Sequence, residues 1–199
     1  MGNEWDVLTK ARNDLADLLE GLTEEQLAAP SLCDEWSVAD VAGHVVSLYE
    51  LSLPKWVIGG LKNTSDIDGF ISTVAKESSA QGVPTLIQSL RANAGKKIPF
   101  YSEGSMVHDT AVHTLDVTIP LGLSHTLDTE VLTVALDHIV SLLPKALKGK
   151  TKPRLEATDI EWSWGAGPVV RGPGVALLLG LTNRDTDELE GEGLKLLGR

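Results

Sequence analysis

The sequence has few of the residues that are typical of secreted, membrane or nucleic-acid-binding proteins. It contains a single cysteine, Cys33, so no internal disulfide can form, and we expect a reducing, cytoplasmic environment. Lysine and arginine number 17 against 28 aspartate and glutamate residues, which gives a formal net charge of −11. That balance argues against non-specific binding to nucleic acid and against docking on anionic membranes.

Long apolar runs are also missing from the sequence. The longest, Val175 to Leu181, is far shorter than the roughly 20 residues that a membrane-spanning helix needs. The first residues contain no basic segment followed by an apolar one, so we expect no signal peptide. Hydrophobic residues make up 42% of the 199 residues, which is ordinary for a globular protein and sufficient for a packed core.

Apolar residues recur at helical spacing through most of the chain. The pattern predicts one helix opened by Pro84 and others over residues 4–20, 38–53, 70–80, 105–119 and 129–147. Thr23 with Gln26, and Ser37 with Asp40, have the spacing of capping boxes, so a helical turn and a long helix should begin after them. Residues 59–69 are rich in glycine and small polar residues and predict a loop.

The composition changes after a basic linker at residues 148–153. Apolar and polar residues then alternate over residues 155–164, apart from one slip at Asp159, and this alternation predicts a strand. Residues 168–171 predict a second strand and residues 175–181 a short helix. The final quarter of the chain therefore differs in structural class from the rest.

From this change we expect a mainly α protein with two parts. Residues 1–150 should form a helical bundle, and residues 151–199 a small α/β C-terminal subdomain. No apolar stripe on a helix predicts a dimer, so a monomer and a homodimer are both compatible with the sequence.

One helical turn carries the strongest candidate for chemistry. Asp109 and His113 are four residues apart, so on a helix they share one face, and Asp116 could orient a ligand from the same face. His44 lies beside apolar positions of another predicted helix and should point towards the core. Central positions on different helices of a bundle meet, and two imidazoles with one carboxylate would hold a divalent metal ion with positions open for water or substrate.

Zinc fits this donor set best, although nickel and iron(II) use the same ligands. The alternative is that His44 is a hydrogen-bonded core residue while Asp109 and His113 are a solvated pair that never meets it. Cys33 is most simply a packing residue, since nothing in the sequence marks its thiol as activated.

Three segments of the chain, in this order, carry further information. The first is Cys33 to His44 (CDEWSVADVAGH); the second is VHTLD at 112–116 with PLG at 120–122; the third begins with WGAGPVVRGP at 164–173 and extends to Leu194. Together they resemble the mycothiol-dependent maleylpyruvate isomerase family of the DinB-like superfamily. The resemblance covers nearly the whole chain.

This resemblance implies a DinB-like four-helix bundle with a small α/β C-terminal part. It also implies a divalent metal, usually zinc, bound at the positions of His44, Asp109 and His113. The isomerase of the family has Glu where this chain has Asp109, whose side chain is one methylene shorter. An arginine in the C-terminal region assists catalysis in the isomerase, so Arg171 and Arg184 are the catalytic candidates here.

The activity implied is that of a metal-dependent isomerase or S-transferase. Such an enzyme uses a low-molecular-weight thiol, mycothiol or a similar compound, and acts on a small electrophilic substrate. Two alternatives stay open: a non-catalytic DinB-like metal- or ligand-binding protein, which Asp109 in place of Glu favours, and a zinc-dependent hydrolase. We expect small-molecule partners, without nucleic acid or membrane.

Overall fold

The computed structural model of the protein describes residues 4–62, 64–98, 101–123, 126–147 and 151–197. Its elements, in chain order, are α1 (Glu4–Glu20), α2 (Glu24–Ala28), α3 (Val38–Glu50), α4 (Leu53–Lys62), α5 (Ile67–Ser79), α6 (Val83–Ala92), α7 (Glu103–Thr118), α8 (Thr129–Leu147), β1 (Arg154–Ala157), β2 (Ser163–Trp164), β3 (Val169–Gly172), α9 (Gly174–Leu181) and a final 3₁₀ turn (Leu194–Leu197). The chain divides into two compact units, Met1–His125 and Thr126–Arg199. Within the described ranges, no helix is long and apolar enough to cross a membrane.

Four helices of the first unit form a bundle. Both α1 and α3 pack against α6 and α7, so the four helices close around a shared core, and α5 packs against α3. The core consists largely of aliphatic side chains, among them Leu15, Val41, Val45, Leu90 and Val117. Each such side chain stabilises the fold by about 1.5–3 kcal/mol when it is fully buried.

Both predicted capping boxes are confirmed. The Thr23 hydroxyl accepts from the backbone N–H of Gln26, whose side chain accepts from the Thr23 N–H. The Ser37 hydroxyl accepts from the Asp40 N–H in the same way, and Asp40 Oδ2 accepts from the Ser37 N–H. Because this box sets where α3 begins, it also sets which residues of α3 face the bundle core.

The end predicted for α3 is wrong, since the helix ends at Glu50 rather than continuing to residue 53. Pro54 lies in the first turn of α4, a position where its missing N–H costs no helical hydrogen bond. The proline therefore helps to begin a new helix instead of bending the preceding one.

The predicted loop over residues 59–69 is also wrong, because α4 and α5 occupy both of its ends. Asp66 caps α5 by accepting from the Gly69 N–H over 2.9 Å. At Gly59 the lack of a side chain allows close packing, since an added Cβ would lie 2.1 Å from the ring of Phe70. Helix packing thus outweighs the poor helix propensity of glycine here.

The second unit contains the sheet, in the order β2-β1-β3. Strand β1 pairs antiparallel with β2 and parallel with β3, and α9 packs against β1, β3 and α8. The single strand predicted over residues 155–164 is wrong, because the chain leaves the sheet between β1 and β2. Asp159, the slip in the alternation, accepts from the Gly174 N–H over 2.7 Å at the start of α9.

The mainly α class with a small C-terminal sheet is confirmed. The division between the compact units lies at residues 125–126, so α8 groups with the C-terminal sheet. Compactness does not establish which segment folds alone, so the domain boundary at residues 150–151 stays a prediction.

Candidate metal centre

The side chains of His44, Asp109 and His113 meet inside the first unit. His44 comes from α3, and Asp109 and His113 come from successive turns of α7. Oδ1 of Asp109 lies 3.7 Å from Nε2 of His44 and 3.7 Å from Nε2 of His113. The donor atoms of the three residues all lie within 4.8 Å of one another. The solvated-pair alternative, in which His44 never meets the other two, is therefore wrong.

These spacings suit a shared ion better than direct hydrogen bonds. A distance of 3.7 Å exceeds the usual length of an N–H···O hydrogen bond, about 2.7–3.2 Å. Two ligands bound tetrahedrally at about 2.0 Å from one zinc ion stand roughly 3.3 Å apart, so the carboxylate of Asp109 and each imidazole need only a small inward movement. Two further atoms, Nδ1 of His44 and Oδ2 of Asp109, are buried without a hydrogen-bond partner among the described residues. The donor atoms of these three residues fit a divalent ion. That the three residues bind such an ion stays a prediction.

Access to the three donors is uneven. The exposed fraction of the side chain is 10% for His44, 12% for His113 and 29% for Asp109. The indole of Trp36 covers both imidazoles, with ring centroids 5.1 Å from His44 and 6.3 Å from His113. Its Nε1–H donates to Ser72 Oγ, which fixes the ring. Solvent therefore reaches the donors mainly beside Asp109.

His113 is oriented by Asp116, one turn further along α7. Nδ1 of His113 lies 2.9 Å from Oδ2 of Asp116, whose side chain has no exposed surface. A hydrogen bond at Nδ1 leaves Nε2 directed at Asp109, the arrangement common among metal-binding histidines. The structure thus agrees with the orienting position expected for Asp116.

The charges of the cluster support one another. Burial alone would lower the pKa of His113, but the charge of Asp109 and hydrogen bonds with Asp116 and Cys33 outweigh it and raise the pKa to about 10. Burial would likewise raise the pKa of Asp109, yet the positive charge of His113 and the contact with His44 hold it below its usual value. The carboxylate is therefore ionised and ready to bind a cation at neutral pH.

A second cluster lies on the opposite edge of the His113 ring, where Cys33 joins Asp116. Cys33 Sγ donates to Oδ2 of Asp116 over 3.1 Å and lies 3.8 Å from Nδ1 of His113. A tetrahedral ion would hold a thiolate and a carboxylate oxygen about 3.5 Å apart, so the shorter contacts here are those of hydrogen bonds. Through these hydrogen bonds the cluster orients His113.

The sequence pattern does not connect Cys33 or Trp36 with the centre. Both lie in the loop before α3, inside the segment that ends at His44. The only signal in the sequence was that both residues lie shortly before His44 in the chain. A loop has no periodicity that shows where its side chains point.

The two catalytic candidates, Arg171 and Arg184, lie in the second unit. Arg171 is exposed on β3, where its backbone pairs with Glu190. Arg184 follows α9, and its Nη1 donates to the carbonyl of Thr182 over 2.9 Å. Their catalytic roles stay predictions.

Comparison with known proteins agrees with this architecture. Residues 8–94 match the family described as the mycothiol maleylpyruvate isomerase N-terminal domain. An uncharacterized protein of Mycobacterium tuberculosis, found in two strains, is 26% identical over 152 residues, which cover 72% of this chain and 81% of that protein. The matched family segment contains His44, whereas Asp109 and His113 lie beyond it.

Solved structures extend the likeness along the chain. The crystal structure of the mycothiol-dependent maleylpyruvate isomerase superposes with a TM-score of 0.58 at 13% identity, covering 96% of each chain. The crystal structure of a mutant of that isomerase gives 0.57 at 14% identity with the same coverage. Residues 8–94 therefore resemble the N-terminal domain of the mycothiol maleylpyruvate isomerase family, and the chain has the fold of the mycothiol-dependent maleylpyruvate isomerase.

Proposed function

We propose that this protein is a metal-dependent enzyme that uses a low-molecular-weight thiol such as mycothiol. It would isomerise a small electrophilic substrate or transfer the thiol to it. The observation that carries the proposal is the convergence of His44, Asp109 and His113 at spacings suited to one ion. The family that residues 8–94 match supports mycothiol as the thiol.

His44, Asp109 and His113 would hold the ion, with zinc the best fit to the donors and nickel the next. Such an ion supplies Lewis acidity, which lowers the pKa of a coordinated thiol. Three protein ligands leave room for a further one, and the exposed part of Asp109 marks the side from which it enters.

Other groups of the chain would orient the reactants and exclude water. Asp116 holds the His113 ring, and the indole of Trp36 shields both imidazoles from solvent. Oδ2 of Asp109 is buried without a hydrogen-bond partner among the described residues, so it would be free to share in holding the ion rather than to meet solvent. These groups act before any bond of the substrate changes.

We propose Arg171 and Arg184 as candidates for binding a substrate carboxylate, because a guanidinium pairs with a carboxylate through two hydrogen bonds. Replacing the functional arginine by alanine should raise KM for an anionic substrate. We further propose, from its single cysteine, that the protein is cytoplasmic. We propose that it works as a monomer or homodimer.

The experiment that tests the proposal measures metal content and thiol-dependent turnover in the same preparations. Untagged wild-type protein, His113→Ala and the control His138→Ala, a histidine of α8, would be measured by elemental mass spectrometry. Each would then be assayed with maleylpyruvate, with and without mycothiol. We expect about one ion per chain in the wild type and in His138→Ala, none in His113→Ala, and turnover only with thiol and metal together.

Other results would redirect the assignment. A filled site without turnover in the presence of any thiol would support the metal- or ligand-binding alternative. Thiol-independent hydrolysis that needs the metal would support the hydrolase alternative. Unchanged metal content in His113→Ala would refute the ligand set itself.

A further inference from the structure

We propose that the Cys33 thiol is a positioning group for the metal centre, acting through Asp116 on His113. This inference rests on the proposed metal-dependent function and adds a residue outside the ligand set. Sγ of Cys33 and Nδ1 of His113 lie 3.1 and 2.9 Å from the same atom, Oδ2 of Asp116. One carboxylate oxygen thus links the thiol to a predicted metal ligand.

Asp116 is buried, so its carboxylate depends on the hydrogen bonds that it accepts. A carboxylate without solvent exposure is stable only when donors compensate for the lost water, and each such donor restricts its orientation. The S–H donation from Cys33 holds Oδ2 facing Nδ1 of His113. The Nδ1–H donation in turn keeps Nε2 as the nitrogen that faces Asp109 and His44.

Hydrogen bonds of the loop backbone place the thiol, and one of them is with the same aspartate. The N–H of Leu32 donates to the backbone carbonyl of Asp116 over 3.0 Å, which ties the loop to α7 next to Cys33. The Cys33 carbonyl accepts from the Trp36 N–H over 3.1 Å, and the Cys33 N–H donates to Ser31 Oγ over 3.1 Å. The loop therefore holds the sulfur above the carboxylate, whereas packing alone would need no such alignment.

Two substitutions separate hydrogen bonding from packing. Cys33→Ser keeps a donor at the same position, and Cys33→Ala removes it. Loss of an outer-shell partner typically weakens metal binding about 10–100-fold, and a thiol is a weak donor, so we expect an effect at or below the lower end of this range. Zinc affinity, measured by competition with a chromophoric chelator, should fall about 3–10-fold in Cys33→Ala and stay within about twofold of wild type in Cys33→Ser.

A second readout does not need the metal. In metal-free protein, the Nδ1–H of His113 can be followed by ¹H–¹⁵N spectroscopy of the imidazole. Its exchange with solvent should be slow in wild type and in Cys33→Ser, and at least several-fold faster in Cys33→Ala, because Asp116 is then less restrained.

The outcomes distinguish the two proposals. Equal zinc affinity in Cys33→Ala and wild type, or equal weakening in Cys33→Ala and Cys33→Ser, would overturn the role of the thiol while leaving the metal centre intact. If wild-type protein binds no zinc, the metal centre fails and the exchange measurement decides alone. Identical exchange rates in wild type and Cys33→Ala would then overturn the positioning role.

Discussion

Nε2 of His44 on α3 lies 3.7 Å from Oδ1 of Asp109 on α7, a distance too long for a hydrogen bond and close to that between two ligands of one ion. The same carboxylate oxygen is equally far from Nε2 of His113. One oxygen of Asp109 thus lies at the same distance from a nitrogen of each imidazole, which makes this side chain the most informative to vary.

Substitutions of Asp109 should separate the effect of its charge from that of its length. Asp109→Asn preserves the shape but removes the charge, so we expect zinc affinity to fall by about 100-fold or more, beyond the usual effect of an outer-shell change. Asp109→Glu keeps the charge and adds one methylene, and should stay within about tenfold of wild type if the site can adjust. Competition titration measures both, and unchanged affinity in Asp109→Asn would exclude this carboxylate as a ligand.

Metal binding should release protons near neutral pH. Because the pKa of His113 is raised to about 10, its Nε2 must lose a proton before it can bind an ion. Calorimetry at pH 7.5 in buffers of different ionisation enthalpy should therefore report close to one proton released per zinc ion. Affinity should increase with pH by up to about tenfold per unit below the pKa. A binding enthalpy that is independent of the buffer would contradict this.

The close contact of α3 with α5 should not tolerate a side chain at Gly43. A Cβ there would lie 2.4 Å from the Ala75 carbonyl oxygen and 2.8 Å from the Ser79 nitrogen, so one helix must move. We expect Gly43→Ala to lower the free energy of unfolding by about 1–3 kcal/mol, as overpacking does. Because Gly43 precedes His44, zinc affinity should also fall.

Gly21→Ala is the matched control for Gly43. Among the described residues, the atom nearest to its Cβ would be the Leu18 carbonyl oxygen at 3.5 Å, which is ordinary contact. Urea unfolding should show a change within about 0.5 kcal/mol. Equal stability of Gly43→Ala and wild type would show that α5 can shift away at little cost.

Arg12 should be essential to the stability of the bundle. Its side chain is buried in α1, and Nη1 lies 3.0–3.1 Å from the carbonyl oxygens of Asn93, Ala94 and Lys96 in the segment before α7. Arg12→Met would leave these carbonyls without that donor, and we expect the free energy of unfolding to fall by about 3 kcal/mol or more.

The control for Arg12 is an exposed cation of the same helix. Lys10 pairs with Asp14 over 2.8 Å at the surface, so Lys10→Met should cost less than about 1 kcal/mol. Denaturant unfolding of the two variants gives the comparison. Similar small losses in both would mean that the carbonyls find other donors when the guanidinium is removed.

Local sequence was sufficient for much of the helical part of the fold. The capping box of Ser37 and Asp40 predicted where α3 begins, and the four-residue spacing of Asp109 and His113 predicted that they share a face of α7. Local sequence predicted the wrong structure at two positions. Gly59 lies in a helix because it packs against Phe70. Asp159 interrupts the predicted strand because its side chain caps α9.

The sequence by itself determined the periodicities, the caps and the residue types available for a metal ion, because these depend on neighbours a few positions away along the chain. Only the tertiary structure decided that His44 meets Asp109 and that the Cys33 thiol donates to Asp116. Such contacts depend on how α3, α7 and the loop before α3 pack, and packing follows from the fit of whole surfaces rather than from any short stretch of residues.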